Sequence, residues 1–543
     1  MGKRAFHPIL LALYPVLFIY AHNIRQTPLT EVVVPAAISV VFAAALWLLA
    51  RLLFRDSPKA AIAVSAFVLL FFSYSHFGRL LDLLITGKLG GLRGAGDVPL
   101  VLWVCLYAVF VKHYFALWLV VLGACLFFVA RARGRLEGLN GFLNVVALAL
   151  VGISVFSIGS YFAKTRLAWH GGTGEQVELP EAVAPSSELP DIYYIILDGY
   201  ARADVLKRFF GYDNSEFLDR LKSRGFFIAS ESHSNYSQTC LSLASSLNYS
   251  YINFLADRLG ADSDDLAPLY DLLWNNAVTR FLRRSGYRFV AFSSGWYCTD
   301  MKNADIYLAP KVSLTEFHNT LIATTPIALL MERLPTRSQF DIHRDRLMFI
   351  FDGLANMPDH DFPVFVFAHI IAPHPPFVFG ANGEPVEWPK GNFFCGDGNM
   401  LVDTEEERAE YRKGYVAQLT YINAMVEKTV DAILARSRRP VVIVLQGDHG
   451  SGLFLNWESV EKTNIYERMS ILNAYRLPGG NEGLYDSITP VNTFRVIFNR
   501  YLGTNMQLLD DRSYFSTWSR PYRFLDVSDQ LFGRDAGKEL KHP

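Results

Sequence analysis

The sequence predicts an N-terminal α-helical membrane domain of about five spans over residues 1–166, a linker at 167–190, and an extracytoplasmic α/β domain over 191–543. The α/β domain is expected to hold a mostly parallel central sheet sandwiched by helices. Three observations carry this reading. Hydrophobic residues make up 51% of the 543-residue chain and charged residues only 19%, whereas soluble domains are about a quarter charged. The apolar excess is concentrated in the first third. Beyond it, short runs that are apolar throughout alternate with helical stretches, as in a sheet covered on both faces.

Taken in order, apolar runs lie at roughly 8–23, 31–53, 59–77, 113–130 and 142–163, most of them near the ~20 residues that cross a bilayer core. Val98 to Val111 is apolar too, separated from the fourth run only by Lys112 and His113. It reads as an approach or re-entrant segment, with a sixth span as the alternative. Lys3 and Arg4, then Arg51, Arg55 and Lys59, then Arg131, Arg133 and Arg135 all fall on one side of a five-span arrangement. The excess of basic residues makes that side cytoplasmic, which puts everything after about residue 166 outside. The expected location is the cell (inner) membrane, multi-pass. His22, Asn23 and Ile24 stand where a signal-peptide cleavage site would need small residues, so the first run reads as an anchor.

GGTGEQVELPEAVAPSSELP has the Gly, Pro and Glu content of a linker. Strands are then expected at 191–199, 226–229, 287–294, 363–370 and 440–448, with helices over 202–223 and 413–436. A net charge of −1 gives no electrostatic footprint for nucleic acid. Five cysteines exclude a disulfide-dense scaffold. Mean hydropathy of +0.18 excludes a disordered chain.

In open α/β sheets the working residues gather where strands end. Asp198 closes the first strand, and Asp448 and His449 close the last long one in LQGDHGSG. Thr239 stands in NYSQTCLSLASSLN, just before a short helix rich in small residues. Two carboxylates, an imidazole and a hydroxyl suit one divalent metal ion, Mn or Zn before Mg or Ca. Such a metal lowers the pKa of the threonine hydroxyl, and the helix N-terminus favours a phosphate. His374, in a proline-rich turn, suits a positioned acid/base. His369, Arg202 and Asn235 are candidate substrate contacts, each with a structural role as the alternative. Trp296 and Tyr297 read as core packing or a sugar-stacking platform. Cys298 and Cys395 are available for a disulfide.

These residues resemble the alkaline phosphatase superfamily, in its sulfatase-like branch, and within it membrane-anchored lipoteichoic acid synthases and phosphoethanolamine or phosphoglycerol transferases. LDGYARADVL resembles the first metal-ligand motif, where those transferases more often carry Glu. GDHG, HIIAPHPPF and YERMSILNAYRLPG resemble later motifs. The resemblance implies an alkaline-phosphatase-like fold, with Asp198, Thr239, Asp448 and His449 as metal ligands, Thr239 as nucleophile, and His374 facing the phosphate and leaving oxygen. True sulfatases carry Cys-x-Pro/Ala-x-Arg, whereas Cys240 is followed by Leu241, Ser242, Leu243 and Ala244. Cys240 therefore reads as a small apolar neighbour of the nucleophile. The implied reaction moves a phospholipid headgroup onto Thr239 and then to an envelope glycan or glycolipid. A hydrolase of the same fold, a non-catalytic lipid sensor and a transporter are the alternatives.

Overall fold

The computed structural model describes residues 5–24, 27, 29–76, 78, 100–132, 136–170, 179–180, 189–310, 316–329, 338–389 and 393–532. The chain forms two compact units, Met1–Leu167 with Leu314–Thr336, and Ala168–Ser313 with Arg337–Pro543. Most of the linker predicted at 167–190 lies outside the described residues, as does most of the loop before Leu100.

The first unit contains α1 (His7–Asn23), α2 (Thr30–Phe54), α3 (Ser57–Phe72), α4 (Leu100–Arg131) and α5 (Glu137–His170). Among the described residues, three stretches are long and apolar enough to cross a membrane: Thr30–Phe54, Tyr114–Arg131 and Glu137–Ala163. At 17 and 16 residues, α1 and α3 fall short of the ~20 needed. The backbone of α4 continues unbroken through Lys112 and His113. This corrects the sequence reading, because a separate re-entrant segment or sixth span would need a turn there.

Val33, Val34, Ile38 and Val41 of α2 point outward, while Ala12, Ala43, Ala60 and Ala147 are buried. Small residues at contacts let helix backbones approach closely. A polar lock joins α1, α3 and α5. The His7 ring lies 2.6 Å from Ser65 Oγ and 2.7 Å from Asn140 Oδ1, and Asn144 Oδ1 accepts the His7 backbone N–H at 3.0 Å. A short helix far along the chain, Glu316–Ala323, belongs to this unit: Phe317 packs with Val16, Tyr20 and Val32.

The second unit is built on a seven-stranded sheet in the order β2-β9-β8-β1-β5-β3-β4. The strands are β1 (Asp191–Leu197), β2 (Phe227–Ile228), β3 (Arg288–Phe292), β4 (Ile306–Leu308), β5 (Val364–Ile370), β8 (Val441–Gln446) and β9 (Asn473–Arg476), with β6 (Phe377–Phe379) and β7 (Pro385–Trp388) forming a separate pair. β8, β1, β5, β3 and β4 run parallel; at one edge β9 pairs antiparallel to β8, and β2 pairs antiparallel to β9. Alternate residues of β1 enter opposite cores, Tyr193, Ile195 and Leu197 on one face and Ile192, Tyr194 and Ile196 on the other. The first face is covered by α7 (Gln339–Ala355) and α8 (Glu405–Arg436), the second by α6 (Thr239–Leu247) and α9 (Pro490–Tyr501). The helix expected over 202–223 is two helices, Ala203–Phe210 and Ser215–Ser223, because Gly211 adopts φ 64° and ends the first.

Parallel register decides where the loops emerge. Ile196 pairs with His369 on one side and with Gln446 on the other, so Asp198, His369 and Asp448 leave the same edge of three adjacent central strands. Phe367, on β5, is fully buried between Tyr194 and its neighbours. Phe367→Ala should cost about 3–5 kcal/mol, read as a lower denaturation midpoint of the purified protein.

Candidate active site

Asp198 follows β1 directly. Its N–H donates to Ile370 O at 2.9 Å, and its carbonyl accepts the N–H of His374 at 3.0 Å. Gly199 turns the chain at φ 69°, a conformation that favours glycine, and its N–H donates to Asp448 Oδ1 at 3.1 Å. Backbone bonds thus tie the loops after β1 and β5 together, and the Asp448 side chain ties the loop after β8 to them. One face of α8 holds them from behind: Tyr415 donates to Gly199 O at 2.8 Å and Gln418 to His374 O at 3.2 Å.

Asp198, His369 and Asp448 each offer a ligand atom within 4.8 Å of the others, and all three are buried. Asp198 Oδ1 and Asp448 Oδ2 are buried without a hydrogen-bond partner. Such carboxylate oxygens are costly unless a proton or a cation meets them. His449 Nδ1–H donates to Gly450 O at 2.9 Å, so its Nε2 lone pair faces the centre, 3.5 Å from Asp198 Oδ1 and 3.3 Å from Asp448 Oδ2. Thr239 Oγ1 lies 3.1 Å from the same nitrogen. The donor set of carboxylates and imidazoles fits a divalent cation.

His369 was expected to face substrate. It is instead fully buried, with Nε2 3.1 Å from Asp198 Oδ2 and Nδ1 2.8 Å from Thr299 Oγ1. The Thr299 hydroxyl donates to Trp296 O at 3.2 Å, so it can accept from Nδ1–H. Facing a carboxylate that only accepts, Nε2–H donates to Asp198 Oδ2 here, while Thr299 fixes the ring from its other side; loss of that proton would turn the Nε2 lone pair to the same point, as a metal-binding histidine needs.

His374 Nε2 lies 3.8 Å from Asp397 Oδ2, and its ring centre is 6.0 Å from that of His449. Burial pushes the His374 imidazole down, but Asp198 and Asp397 outweigh burial and raise it above its ordinary value. Burial acts to raise the Asp198 carboxyl, yet His374, His369 and His449 hold it below the usual carboxylate range. Burial lowers His449, and Arg468 adds to that.

Thr239 is the first residue of α6 and is half-exposed, whereas the groups around it are buried. The first N–H groups of a helix lack intrahelical partners and attract anions. The neighbouring Cys240 is not the free apolar side chain expected from the sequence. It forms a disulfide with Cys298, 58 residues on, while Cys395 stays a thiol. One turn, Tyr297–Thr299, therefore braces both the helix that begins at Thr239 and His369.

The remaining expected contacts are committed elsewhere. Arg202 pairs with Asp204 at 2.6 Å and donates to Tyr466 and Ser232 O. Asn235 donates to Thr489 and Arg512 O and accepts from Val491 N–H. Tyr297 packs edge-on against Tyr270 and Trp274, which makes that pair core rather than a platform. Two residues at the site were not among the expected site residues. Arg468 is fully buried, pairs with Asp397 at 2.8 Å and donates from Nε to Ser237 O at 2.9 Å. Asp397 is the carboxylate beside His374 and also accepts from Tyr411 at 3.0 Å. The only signal for Arg468 was its place in the YERM segment.

Glu467 accepts from Ser451 and from the N–H groups of Leu453 and Phe454, holding the loop after His449. Burial pushes its carboxyl up from 4.5 to about 7. Its contribution to stability should be full below pH 4.5 and be lost as pH rises through about 7. The stability difference between wild type and Glu467→Gln, followed by unfolding from pH 4 to 8, should show that slope. Thr299→Val should weaken divalent-metal affinity about 10- to 100-fold, measured by metal titration, because it releases the His369 ring.

A search of curated proteins finds no match. Solved structures similar to the chain include the C-terminal periplasmic domain of EcEptC from Escherichia coli, 11% identical with a TM-score of 0.43, covering 67% of this chain and 100% of that one. Another is the integral membrane lipooligosaccharide phosphoethanolamine transferase A (EptA) from Neisseria meningitidis, 14% identical with a TM-score of 0.38, covering 91% and 94%. A third is BT1596, a 2-O GAG sulfatase, 14% identical with a TM-score of 0.35, covering 62% and 74%. The family model for Sulfatase matches residues 190–494, which span β1, Thr239, His374, Asp448 and the start of α9, and the chain belongs to that family.

Proposed function

We propose that this sulfatase-family enzyme transfers a phospholipid headgroup, of the phosphoglycerol or phosphoethanolamine type, through a phosphothreonine at Thr239 to an envelope glycan or glycolipid. The observation that carries the reading is the half-exposed Thr239 hydroxyl at a helix N-terminus, 3.1 Å from His449 and beside buried Asp198 and Asp448. The disulfide at Cys240 supports it further, since a bonded cysteine has no thiol to become formylglycine. Sulfate-ester hydrolysis by that route is therefore disfavoured.

Asp198, His369, Asp448 and His449 would hold one divalent ion, Mn or Zn before Mg or Ca. When bound, such an ion lowers the pKa of a hydroxyl and neutralises phosphate charge. Entering as the alkoxide, Thr239 Oγ1 attacks phosphorus; a new O–P bond forms, the bond to the diacylglycerol oxygen breaks, and diacylglycerol leaves. His374, whose imidazole Asp198 and Asp397 shift toward the protonated form against the effect of burial, gives its proton to the leaving oxygen. Neutral His374 then takes the proton of an acceptor hydroxyl, whose oxygen attacks phosphorus and releases Thr239. Arg468 keeps Asp397 in place while His374 cycles.

We read the first unit as five spans, with the second unit on the outer side of the cell membrane. The basic bias of the connecting loops supports that orientation, as does the Cys240–Cys298 bond, which needs an oxidising compartment. Tethering raises the effective concentration of a donor confined to the bilayer.

The test is peptide mass spectrometry after incubation with a divalent metal and mixed phosphatidylglycerol and phosphatidylethanolamine. An adduct on Thr239, larger in His374→Ala and missing in Thr239→Ala, is expected, and its mass identifies the headgroup. Chelation should abolish it. No adduct in any sample and no bound metal would sink the reading.

A further inference from the structure

The family match ends at residue 494, yet the chain beyond it returns to the nucleophile. Residues 512–518 run beside 234–238 almost bond for bond. Arg512 O accepts from Asn235 at 2.9 Å, Ser513 Oγ donates to Ser234 O at 2.7 Å, and Tyr514 N–H donates to Asn235 O at 2.9 Å. Ser516 N–H donates to Ser237 Oγ at 3.3 Å, and the Gln238 amide donates to Ser516 O at 3.2 Å and Thr517 O at 3.1 Å. Gln238 is the residue immediately before Thr239. The strap is therefore bonded as far as the side chain of the residue before Thr239, and Trp518 follows that last contact.

Trp518 is 43% exposed. It is nonetheless held firmly, with its N–H donating to Trp457 O at 2.9 Å and its ring standing edge-on to the Trp457 ring at 5.3 Å. Trp457 is buried, donates from its indole to Asp397 O at 2.9 Å and lies under the Arg468 guanidinium. A rigid indole thus stands at the outer end of a stack that begins at the partner of His374. An exposed indole fixed in this way offers a rigid, amphipathic stacking surface at low entropic cost. Its surroundings decide what it recognises. Ser519 donates to Glu458, Thr517 Oγ1 lies 3.4 Å from Ser519 Oγ, and Arg520 pairs with Asp262 at 3.6 Å. Hydroxyls and charges around a single aromatic face suit a polyol ring, with C–H groups on the indole and hydroxyls on the rim. An acyl chain would need an apolar surround.

We propose that Trp518 is the floor of a subsite for a sugar ring of the acceptor, with Ser519 and Glu458 on its rim. The word acceptor rests on the transferase reading; the sugar site itself does not. The test uses the full chain in a sugar-free detergent, with maltohexaose and chitohexaose as probes. Saturation-transfer NMR reads binding, and headgroup release from phosphatidylethanolamine by the wild type is measured separately. At least one oligosaccharide should bind, Trp518→Ala should weaken it about tenfold, and Trp518→Phe should restore most of the signal. Both variants keep the backbone bond to Trp457, and an unchanged unfolding midpoint checks that they fold. Failure of both oligosaccharides to bind, or equal binding by Trp518→Ala, overturns the subsite. Trp518-dependent binding without any headgroup release upholds the sugar site and defeats the transfer reaction instead.

Discussion

Two buried carboxylates, Asp198 and Asp448, each carry an oxygen with no hydrogen-bond partner, and the rest of the catalytic unit is arranged around that constraint. A low-dielectric interior tolerates such charge only where opposite charge or metal meets it. Here three histidines close on the pair: His369 from β5, His374 from the following turn and His449 beside Asp448. Parallel strands make this possible, because β1, β5 and β8 all end on the same side. An antiparallel neighbour at the centre would have sent one of these loops to the opposite edge.

The same constraint explains the bracing. A site with this much concentrated charge holds its geometry only if the backbone under it cannot relax. α8 supplies one support, with Tyr411, Tyr415 and Gln418 reaching Asp397, Gly199 and His374 from a single helix face. The Tyr297–Thr299 turn supplies a second, through Cys298 to the helix that begins at Thr239 and through Thr299 to His369. Arg468 supplies a third, bonding Asp397, Ser237 O and Gly450 O at once. These residues touch no reacting atom, but each limits how far the atoms that react can move.

The first unit solves a different problem with different means. Its outward faces are apolar and its contacts are small residues, so packing rather than water exclusion holds the helices together. The buried His7, Ser65 and Asn140 contact adds direction to that packing, since polar groups among apolar helices must find one another. The helix Glu316–Ala323 extends the unit with chain from far downstream.

Composition and periodicity determined the broad organisation by themselves. Apolar runs in the first third and β1, β3, β5 and β8 were legible because burial on both faces writes a continuous apolar signal into a strand. Asp198, Asp448 and His449 were legible because they directly follow such strands, and Thr239 because a small-residue helix follows it. Tertiary structure alone decided the rest. His369 looked like a substrate contact because register with Asp198 is a property of paired strands, not of one strand. Arg202 looked available although Asp204 stands two residues away, because Tyr466, which completes its contacts, lies far along the chain; the Asn235 partners Thr489 and Arg512 are equally distant. Asp397, Arg468 and the Cys240–Cys298 pairing had no local pattern to reveal them, since each acts through a neighbour that only folding supplies. Local sequence records which backbone a residue prefers and whether it is buried; which charge faces which is settled when distant segments meet.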